Sequence, residues 1–521
     1  MSHAGPSSGA LIRPHIRPCE IEQLFSRESR FTVWRKLWLW LAESQKELGI
    51  IYLVPIPNTK PQAFTKDRII KYRDLAQLRR CCHVSTFRAD GRQMHSSIPL
   101  SHLMEIRAHY HLITGLDVPG SKHWLNIGVT HEYILENTEQ ILMARALDIL
   151  NTKLSMLLYR LQNFAMDHRS AQCFMNESDS DRPAYITTIG HRVAFWAKAL
   201  VAILGVFQRL RCAVGSAGSQ PITQCEQGNI DFDDKLSMLQ HFEGDKSKCE
   251  ELDNLLRQKM GFEKCHAKHY LQYRSEANGI LGRLCRSLGE TALEAVEDLD
   301  YFYLSDQLTD TRASFHGSHL TAGNPMFRQT QLLRSAAEAL IRTAVTFKDP
   351  QVPKTDGEDE YIMARLFKHA ARVVRVLQSI VEGLCYNKQN ADTLMSQNMP
   401  FMVTAPLISR LILRGEDRMT ILSHLADIGM DVIYQPSELR PQNFVSILEQ
   451  HEFFKKHAAD VYNAFLSAQD VSHSQTLVDE ICGVDGIVDR RLQPYRGYIR
   501  DMTAGERRLQ AAPRIEAAPR H

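Results

Sequence analysis

The sequence predicts an all-α fold built on long central helices. Apolar residues recur at alternating spacings of four and three from Met143 to Leu161, which is the repeat of a buried helix face. Comparable helical periods return along most of the chain, whereas the alternating apolar and polar runs typical of strands are nearly absent. Breaks that contain Gly and Pro separate these runs, as expected for helices joined by loops.

Composition indicates a globular protein of ordinary character. The 521 residues allow several domains, and 44% apolar and 23% charged residues are typical of a folded chain. The net charge is only +2. Because proteins that bind nucleic acids normally carry a strong basic excess, no nucleic-acid partner is predicted.

The eleven cysteines include no CxxC pair and are odd in number, which predicts reduced thiols in a cytosolic or nuclear protein. Of the two locations, we expect the cytoplasm. Cys81, Cys82 and His83 are adjacent, as are Cys265 and His266, but neither group has the second spaced pair of a zinc site. No metal site is predicted.

The most apolar window, Val193 to Phe207, contains Lys198 and is too short to cross a bilayer. We therefore predict a buried central helix there, and no membrane partner.

The first strong helix is predicted at 25–50, where Trp34, Leu37, Trp38 and Leu41 share one face. Residues 1–18 and 503–521 lack periodic apolar residues and are predicted to be disordered or loose. The other predicted helices cover 67–80, 100–112, 132–166, 184–212, 235–260, 266–304, 326–347 and 360–386, followed by shorter ones at 406–414, 418–429, 441–451 and 458–468.

Five segments, in chain order, resemble adenylosuccinate lyase, a family of the fumarase/aspartase superfamily. The stretch WRKLWLWLAE resembles the family's first long helix, and IGVTHEYILENTE resembles its LGATS…DNTD segment. RPAYITTIGHR is similar to HFQPAQLTTVGKR, and QHFEGD and MPFMVTAPLISRLILRG also match. Together the matches span roughly 24–498.

The resemblance implies a three-domain fold with a long central five-helix bundle. It also implies a homotetramer whose active sites are shared between subunits. Accordingly, we predict a disordered N-terminus at 1–20, an N-terminal helical domain at 21–128, the central bundle at 129–372, a C-terminal helical domain at 373–500 and a flexible tail at 501–521.

The family releases fumarate by β-elimination and uses no cofactor, so none is predicted here. Such a site needs a base in a mobile loop, an acid that titrates near neutrality, and cations that bind carboxylates and a phosphate. Each requirement is compared with the sequence below.

The base of the family lies in the loop SSAMPYKRNP, which resembles SHLTAGNP at 318–325. Asn324 sets the register and is a candidate substrate contact, while Ser318 or His319 stands at the position of the base. The loop is shorter, and no Lys or Arg occurs between Arg312 and Arg328. Because a serine base needs a nearby cation to lower its pKa, we interpret the loop as a polar connector.

The histidine that acts as the family's acid is replaced by Ser180. This serine lies among Glu177, Asp179 and Asp181. A serine beside carboxylates cannot be a general acid at neutral pH, and the carboxylates would repel an anionic substrate.

Two other histidines remain as candidate acids. His109 belongs to AHYH, although the RHD that precedes the family's AHVH is replaced by Leu-Met-Glu. His131 replaces the Ser of LGATS, and Asn126 replaces the His before it. Asn126 and Thr130 are candidate substrate contacts. For His109, the ordinary alternative is an imidazole that lines the core or the surface.

The segment GSAGSQ at 215–220 resembles the substrate-binding GTTGTQ loop, so Ser216, Ser219 and Gln220 are candidate substrate contacts. An insertion at 221–234 follows it. The family's LDDSANRR segment becomes PKTDGEDE at 353–360, which is acidic where the family is basic. Segments that pack are therefore retained, while segments that bind anions are changed.

This contrast predicts a catalytically inactive protein with a lyase fold. We expect it to act as an oligomeric interaction or regulatory subunit, as a homotetramer or as a hetero-oligomer with an active lyase paralogue. One alternative is an active lyase on adenylosuccinate and succinyl-carboxamide ribotide, with Ser318 or His319 as base and His131 or His109 as acid. A second is a sensor that binds a purine nucleotide without turnover.

Overall fold

A computed structural model describes residues 19–50, 52–55, 64–67, 70–82, 102–175, 185–218, 241–266, 270–311, 325–348, 358–433 and 440–511. These residues are overwhelmingly helical, and the all-α prediction is confirmed. Their strands form three antiparallel pairs, each of two short strands.

The helices of the first half are α1 (Glu20–Leu24), α2 (Arg27–Glu47), α3 (Tyr72–Cys81), α4 (His102–Leu112), α5 (His131–Asp167), α6 (Ile189–Ala213) and α7 (Lys246–Met260). The helices of the second half are α8 (Tyr270–Leu304), α9 (Pro325–Lys348), α10 (Glu358–Val381), α11 (Lys388–Met402), α12 (Thr404–Leu413), α13 (Arg418–Ile433), α14 (Arg440–Gln450), α15 (Glu452–Lys455), α16 (Ala458–Gln469), α17 (Ser472–Cys482), α18 (Ile487–Leu492) and α19 (Arg496–Ala511). The strand pairs are β1 (Tyr52–Pro55) with β2 (Phe64–Asp67), β3 (Gln172–Met175) with β4 (Tyr185–Thr188), and β5 (Leu308–Asp310) with β6 (Leu384–Tyr386).

The chain forms two compact units. The first comprises Met1–Ile149, Arg211–Ala277 and Pro350–Lys368. The second comprises Leu150–Leu210, Asn278–Asp349 and His369–His521. The division into three domains, with the boundaries given above, stays a prediction.

The tryptophan-rich helix α2 lies in the core of the first unit. Trp34 and Trp38 are fully buried, as the spacing of the apolar residues predicts. The indole N–H of Trp38 donates to Asn126 Oδ1 at 3.0 Å, and Gln45 Nε2 donates to the carbonyl of Ile127 at 2.8 Å. These bonds attach the turn before α5 to α2.

A buried ion pair lies in the core of the second unit. The guanidinium of Arg192 on α6 forms two hydrogen bonds to the carboxylate of Asp298 on α8. The indole N–H of Trp196 donates to the same carboxylate at 2.8 Å. Three donors therefore compensate one buried charge, which is the condition for burying a carboxylate without a large cost.

Helix α6 contains the predicted apolar window, and most of that window is buried. Phe195, Lys198 and Ala202 form one exposed stripe along it. Among the described residues, α6 is the one helix long and apolar enough to cross a membrane, and 61% of its apolar window is buried inside the protein.

Several predicted boundaries are wrong, including the end of the helix at 360–386, since Leu384–Tyr386 form strand β6 and pair with β5. Residues 185–188 form a strand instead of the start of α6, because they pair with β3 in an antiparallel register. The predicted helix at 235–260 is interrupted at 242–245, and α7 begins at Lys246, since the carboxylate of Asp245 accepts the N–H of Ser247 at 3.0 Å and caps the helix there; residues 235–240 lie outside the described residues. Residues 503–511 are helical, because they continue α19, which packs through the buried Ile499.

Candidate functional site

Five of the candidate residues are described, and all five belong to the first unit: His109, Asn126, Thr130, His131 and Ser216. The other candidates, Ser180, Ser219, Gln220, Ser318, His319 and Asn324, lie outside the described residues. The site is therefore built here from the turn before α5, the first turns of α5, and the loop 214–218.

The turn before α5 uses its polar side chains internally. Asn126 has a positive φ of 65°, a conformation that asparagine tolerates better than most residues. Its Oδ1 accepts from Trp38, and its Nδ2 donates to the carbonyl of Val129 at 3.2 Å. The hydroxyl of Thr130 accepts the N–H of Tyr133 at 3.2 Å and so caps α5. Both side chains shape this turn, and a role in binding substrate stays a prediction for each.

His109 lies in an aromatic cluster and is only 4% exposed. Its ring is 4.0 Å from the ring of Phe31 and 5.7 Å from that of Trp34, between centroids. Burial, with smaller contributions from the positive charges of Arg35 and Arg27, lowers the pKa of His109 to about 4. The imidazole is neutral at pH 7, so it has no proton to give as a general acid.

His131 begins α5 and is half-buried. Its ring meets the ring of Tyr110 edge-on, with centroids 5.7 Å apart. His131 and His109 thus both contact aromatic side chains of the first unit.

The loop 214–218 is fixed to α5 by one amide. Asn137 Oδ1 accepts the N–H of Ala217 at 3.0 Å, and Asn137 Nδ2 donates to the carbonyl of Ala217 at 3.4 Å. The same Nδ2 donates to the carbonyl of Tyr133 at 2.9 Å. Sequence reasoning missed Asn137, although it falls within the ENTE stretch that resembles DNTD.

The other side of the loop contacts residues 264–266. The N–H of Ser216 donates to the carbonyl of Lys264 at 3.0 Å, and the N–H of His266 donates to the carbonyl of Ser216 at 2.8 Å. A Cβ at Gly215 would lie 2.6 Å from the oxygen of Lys264 and 2.8 Å from the ring of His266. Glycine is therefore required at 215 for close packing alone.

Two hydroxyls beside this loop have no hydrogen-bond partner among the described residues. Ser216 Oγ is buried, with 1% of the residue exposed, and Tyr133 Oη is buried as well. Burial, reinforced by Asp253 and Cys265, raises the pKa of Tyr133 well above its ordinary value, so the phenol stays neutral. These two hydroxyls remain available for a water or a polar ligand group.

An acidic face of α5 contacts a cation on α8. Arg274 Nε is 2.9 Å from Glu139 Oε2, and Arg274 Nη2 donates to Glu139 Oε1 at 3.0 Å, which is a two-point ion pair. Burial, with Glu139 and Glu132 nearby, raises the pKa of Glu136 to about 7, despite the opposing effect of Arg274. The sequence signal for this acidic face was the spacing of Glu132, Glu136 and Glu139, because residues three or four apart are neighbours on a helix surface.

The described residues include no group of three or more His, Cys, Asp or Glu side chains arranged to hold a metal ion. Ten of the eleven cysteines lie in the described ranges, and all ten are free thiols.

No family model matches the chain. Among curated proteins, the chain is 23% identical over 424 residues to an adenylosuccinate lyase of Schizosaccharomyces pombe, covering 78% of this chain and 81% of that protein. It is also 23% identical over 495 residues to the adenylosuccinate lyase of Saccharomyces cerevisiae, covering 92% and 95%.

Solved structures share the fold. The 3-carboxy-cis,cis-muconate lactonizing enzyme from Pseudomonas putida aligns with a TM-score of 0.63 at 12% identity, covering 90% of this chain and 97% of that one. A fumarate lyase from Mesorhizobium sp. BNC1 aligns with a TM-score of 0.60 at 12% identity, covering 89% and 97%. The chain therefore shares the fold of these two enzymes. In sequence it is similar, over most of its length, to curated proteins that carry the name adenylosuccinate lyase.

Two substitutions test the bonds between α5 and the loop directly. We expect Asn137→Ala to lower the free energy of unfolding by about 2–3 kcal/mol, because the N–H and carbonyl of Ala217 then lose their partners in a buried position. Ser216→Ala should change it by less than about 0.5 kcal/mol, since that hydroxyl makes no hydrogen bond. Urea unfolding of both variants measures the difference, and an equal loss in the two variants would contradict the assignment.

The buried imidazole makes a second, pH-dependent prediction. The pKa of His109 is lowered in the folded state, so the unfolded state binds more protons between pH 6.5 and 4. The contribution of neutral His109 to the free energy of unfolding is complete above pH 6.5. This contribution, about 3 kcal/mol, is lost as the pH falls towards 4.

We therefore expect His109→Leu to flatten the fall in unfolding free energy between pH 6.5 and 4. The exposed His111 on the same helix provides the matched control, because His111→Leu should leave the profile unchanged. Glu136 acts in the opposite direction, since its raised pKa makes stability fall as the pH rises from 4.5 to 7. Measuring both variants in a Glu136→Gln background separates the two effects.

Proposed function

We propose that this protein is a catalytically inactive relative of adenylosuccinate lyase that acts as an oligomeric interaction or regulatory subunit in the cytoplasm. The observation that carries the proposal is the loss of free positive charge where a lyase needs it. Residues 313–327 contain no Lys or Arg, although they match the family's catalytic loop. Elimination builds up negative charge on a carboxylate, and cations normally stabilise it.

The described part of the first unit supports the same conclusion. Arg274, the cation next to the loop that resembles the substrate-binding segment, already pairs with Glu139 through two contacts. A substrate carboxylate or phosphate would have to displace that carboxylate and then lie beside Glu136. Like charges in a partly buried site raise the cost of binding an anion.

The candidate acids also support inactivity. His109 is neutral and enclosed by aromatic rings, and Ser180 stands where the family has its acid. Without a proton donor, the leaving nitrogen of the substrate would depart as an anion, which is unfavourable.

Association with other subunits supports the second half of the proposal. The budding yeast relative matches 92% of the chain, and the Trp-rich helix that resembles the family packs in the core through Trp34 and Trp38. We propose that the chain forms a homotetramer or joins an active lyase paralogue. An inactive subunit could then alter the activity of its partner, because lyases of this family share sites between subunits.

The activity test uses purified protein and adenylosuccinate, with the fission yeast relative assayed in parallel as the active control. We expect fumarate release at least about 10⁴-fold slower than that of the control, since both the acid and the cationic loop are missing. A rate within tenfold of the control would favour the alternative, an active lyase with Ser318 or His319 as base and His131 or His109 as acid.

The association test co-expresses tagged chain with an active lyase from the same cell. Recovery of mixed oligomers with altered lyase rate would support a regulatory subunit, whereas separate homo-oligomers would reject the hetero-oligomer. Thermal-shift measurements with AMP and adenylosuccinate examine the third possibility, a nucleotide sensor. A ligand that binds only the folded state must raise the melting temperature, so the absence of a shift removes the sensor.

A further inference from the structure

One face of α2 and the end of α3 line a surface pocket that the lyase resemblance does not assign. Its volume is about 480 Å³, within the range of sites for small molecules. Four of the lining residues recur at helical spacing on one face of α2, and the other two lie at the end of α3. They are Lys36, Leu39, Trp40, Glu43, Arg79 and Cys82.

The charges of the pocket leave one cation uncompensated. Glu43 Oε1 is 2.6 Å from Arg79 Nη2, and Glu43 Oε2 is 3.4 Å from Lys259 Nζ, so this carboxylate already has two cationic partners. Lys36 is half-buried and forms no ion pair with the described residues. An anionic group that enters the pocket would therefore find Lys36 available.

The remaining lining is apolar and includes a flat aromatic surface. Leu39 and Cys82 are 7% and 5% exposed and form the floor. Trp40 is half-buried, whereas the other four tryptophans of the chain are buried, with at most 3% exposure. The indole of Trp40 can stack against another flat ring, and such contacts add to the gain from burying apolar area.

We propose that this pocket binds a small organic carboxylate with a flat aromatic body. The ring lies against Trp40 and Leu39, and the carboxylate pairs with Lys36. A neutral ring lacks the ion pair, and a carboxylate without a ring lacks the apolar contact. Recognition therefore requires both groups on one molecule. The site is separate from the residues that resemble the lyase site, so this inference does not rest on the proposed function.

The probe is biphenyl-4-carboxylate, with biphenyl-4-carboxamide as its neutral partner. Because Trp40 is half-buried and the other four tryptophans are buried, protection of tryptophan fluorescence from acrylamide reports occupancy of the pocket. We expect the carboxylate to bind with a Kd of about 1 mM, and the carboxamide to bind about fivefold more weakly. Trp40→Phe should abolish the protection that the ligand provides.

Two charge reversals, one on α2 and one just before α3, distinguish a direct ion pair with Lys36 from an effect of the protein's overall charge. Lys36→Glu should weaken carboxylate binding by about fivefold or more and leave carboxamide binding unchanged. Lys71→Glu is the matched control, because this exposed lysine precedes the first residue of α3, about 15 Å along the helix from Cys82. It should bind the carboxylate like the original protein.

Three results would overturn the proposal. They are no protection at tenfold the expected Kd, equal binding of carboxylate and carboxamide, or equal carboxylate binding by Lys36→Glu and the original protein. Circular dichroism of each variant shows that the helices are intact, and Lys36→Glu keeps the test valid even if Trp40→Phe alters the packing of α2.

Discussion

The buried backbone of residues 214–218 is the constraint on which the arrangement of the first unit's site depends. A buried N–H or carbonyl must find a partner inside the protein, since water cannot reach it. Asn137 supplies both partners for Ala217, and residues 264 and 266 supply those for Ser216. The side chain of one residue in the second turn of α5 thus determines where this loop lies.

The same constraint explains why the segments around the loop can resemble a lyase for reasons of packing alone. Gly215 is required by its contact with the carbonyl of Lys264, and Asn137, in the stretch that resembles DNTD, is required by its bonds to Ala217. Residues of this kind are retained for as long as the fold is retained. A matching glycine or amide therefore indicates a common fold, whereas activity depends on charges that no backbone contact protects.

Much of the fold could be predicted because the long helices have strong periods. The predicted helix at 132–166 differs from α5, His131–Asp167, by one residue at each end. Errors arose where a local bond competes with helical pattern: strand β4 pairs with β3, and Asp245 caps α7. Helix α19 was missed because its charged residues give little apolar signal, and one buried isoleucine carries its packing.

The candidate site was less predictable, because its properties come from contacts between distant residues. His109 and His111 form an H-x-H pair on α4 and differ only in which side of the helix they occupy. The pattern alone does not reveal that Phe31 and Trp34 enclose His109 while His111 is exposed. The pairing of Arg274 with Glu139 joins residues 135 positions apart. Composition gives the number of charges, but only the fold decides which of them are neutralised.

Whether its charges are already neutralised within the protein also distinguishes a site that binds an anion from a region that only packs. At neutral pH, Glu136 takes up a proton part of the time, because its pKa lies near 7 and its neighbours are acidic. The face of α5 therefore lowers its own repulsion by protonation and by pairing with Arg274, without any ligand. A site built to bind an anion would instead keep its cation unpaired and its carboxylates distant. On this face of α5 the charges are satisfied within the protein, by the pairing of Arg274 with Glu139 and by the raised pKa of Glu136.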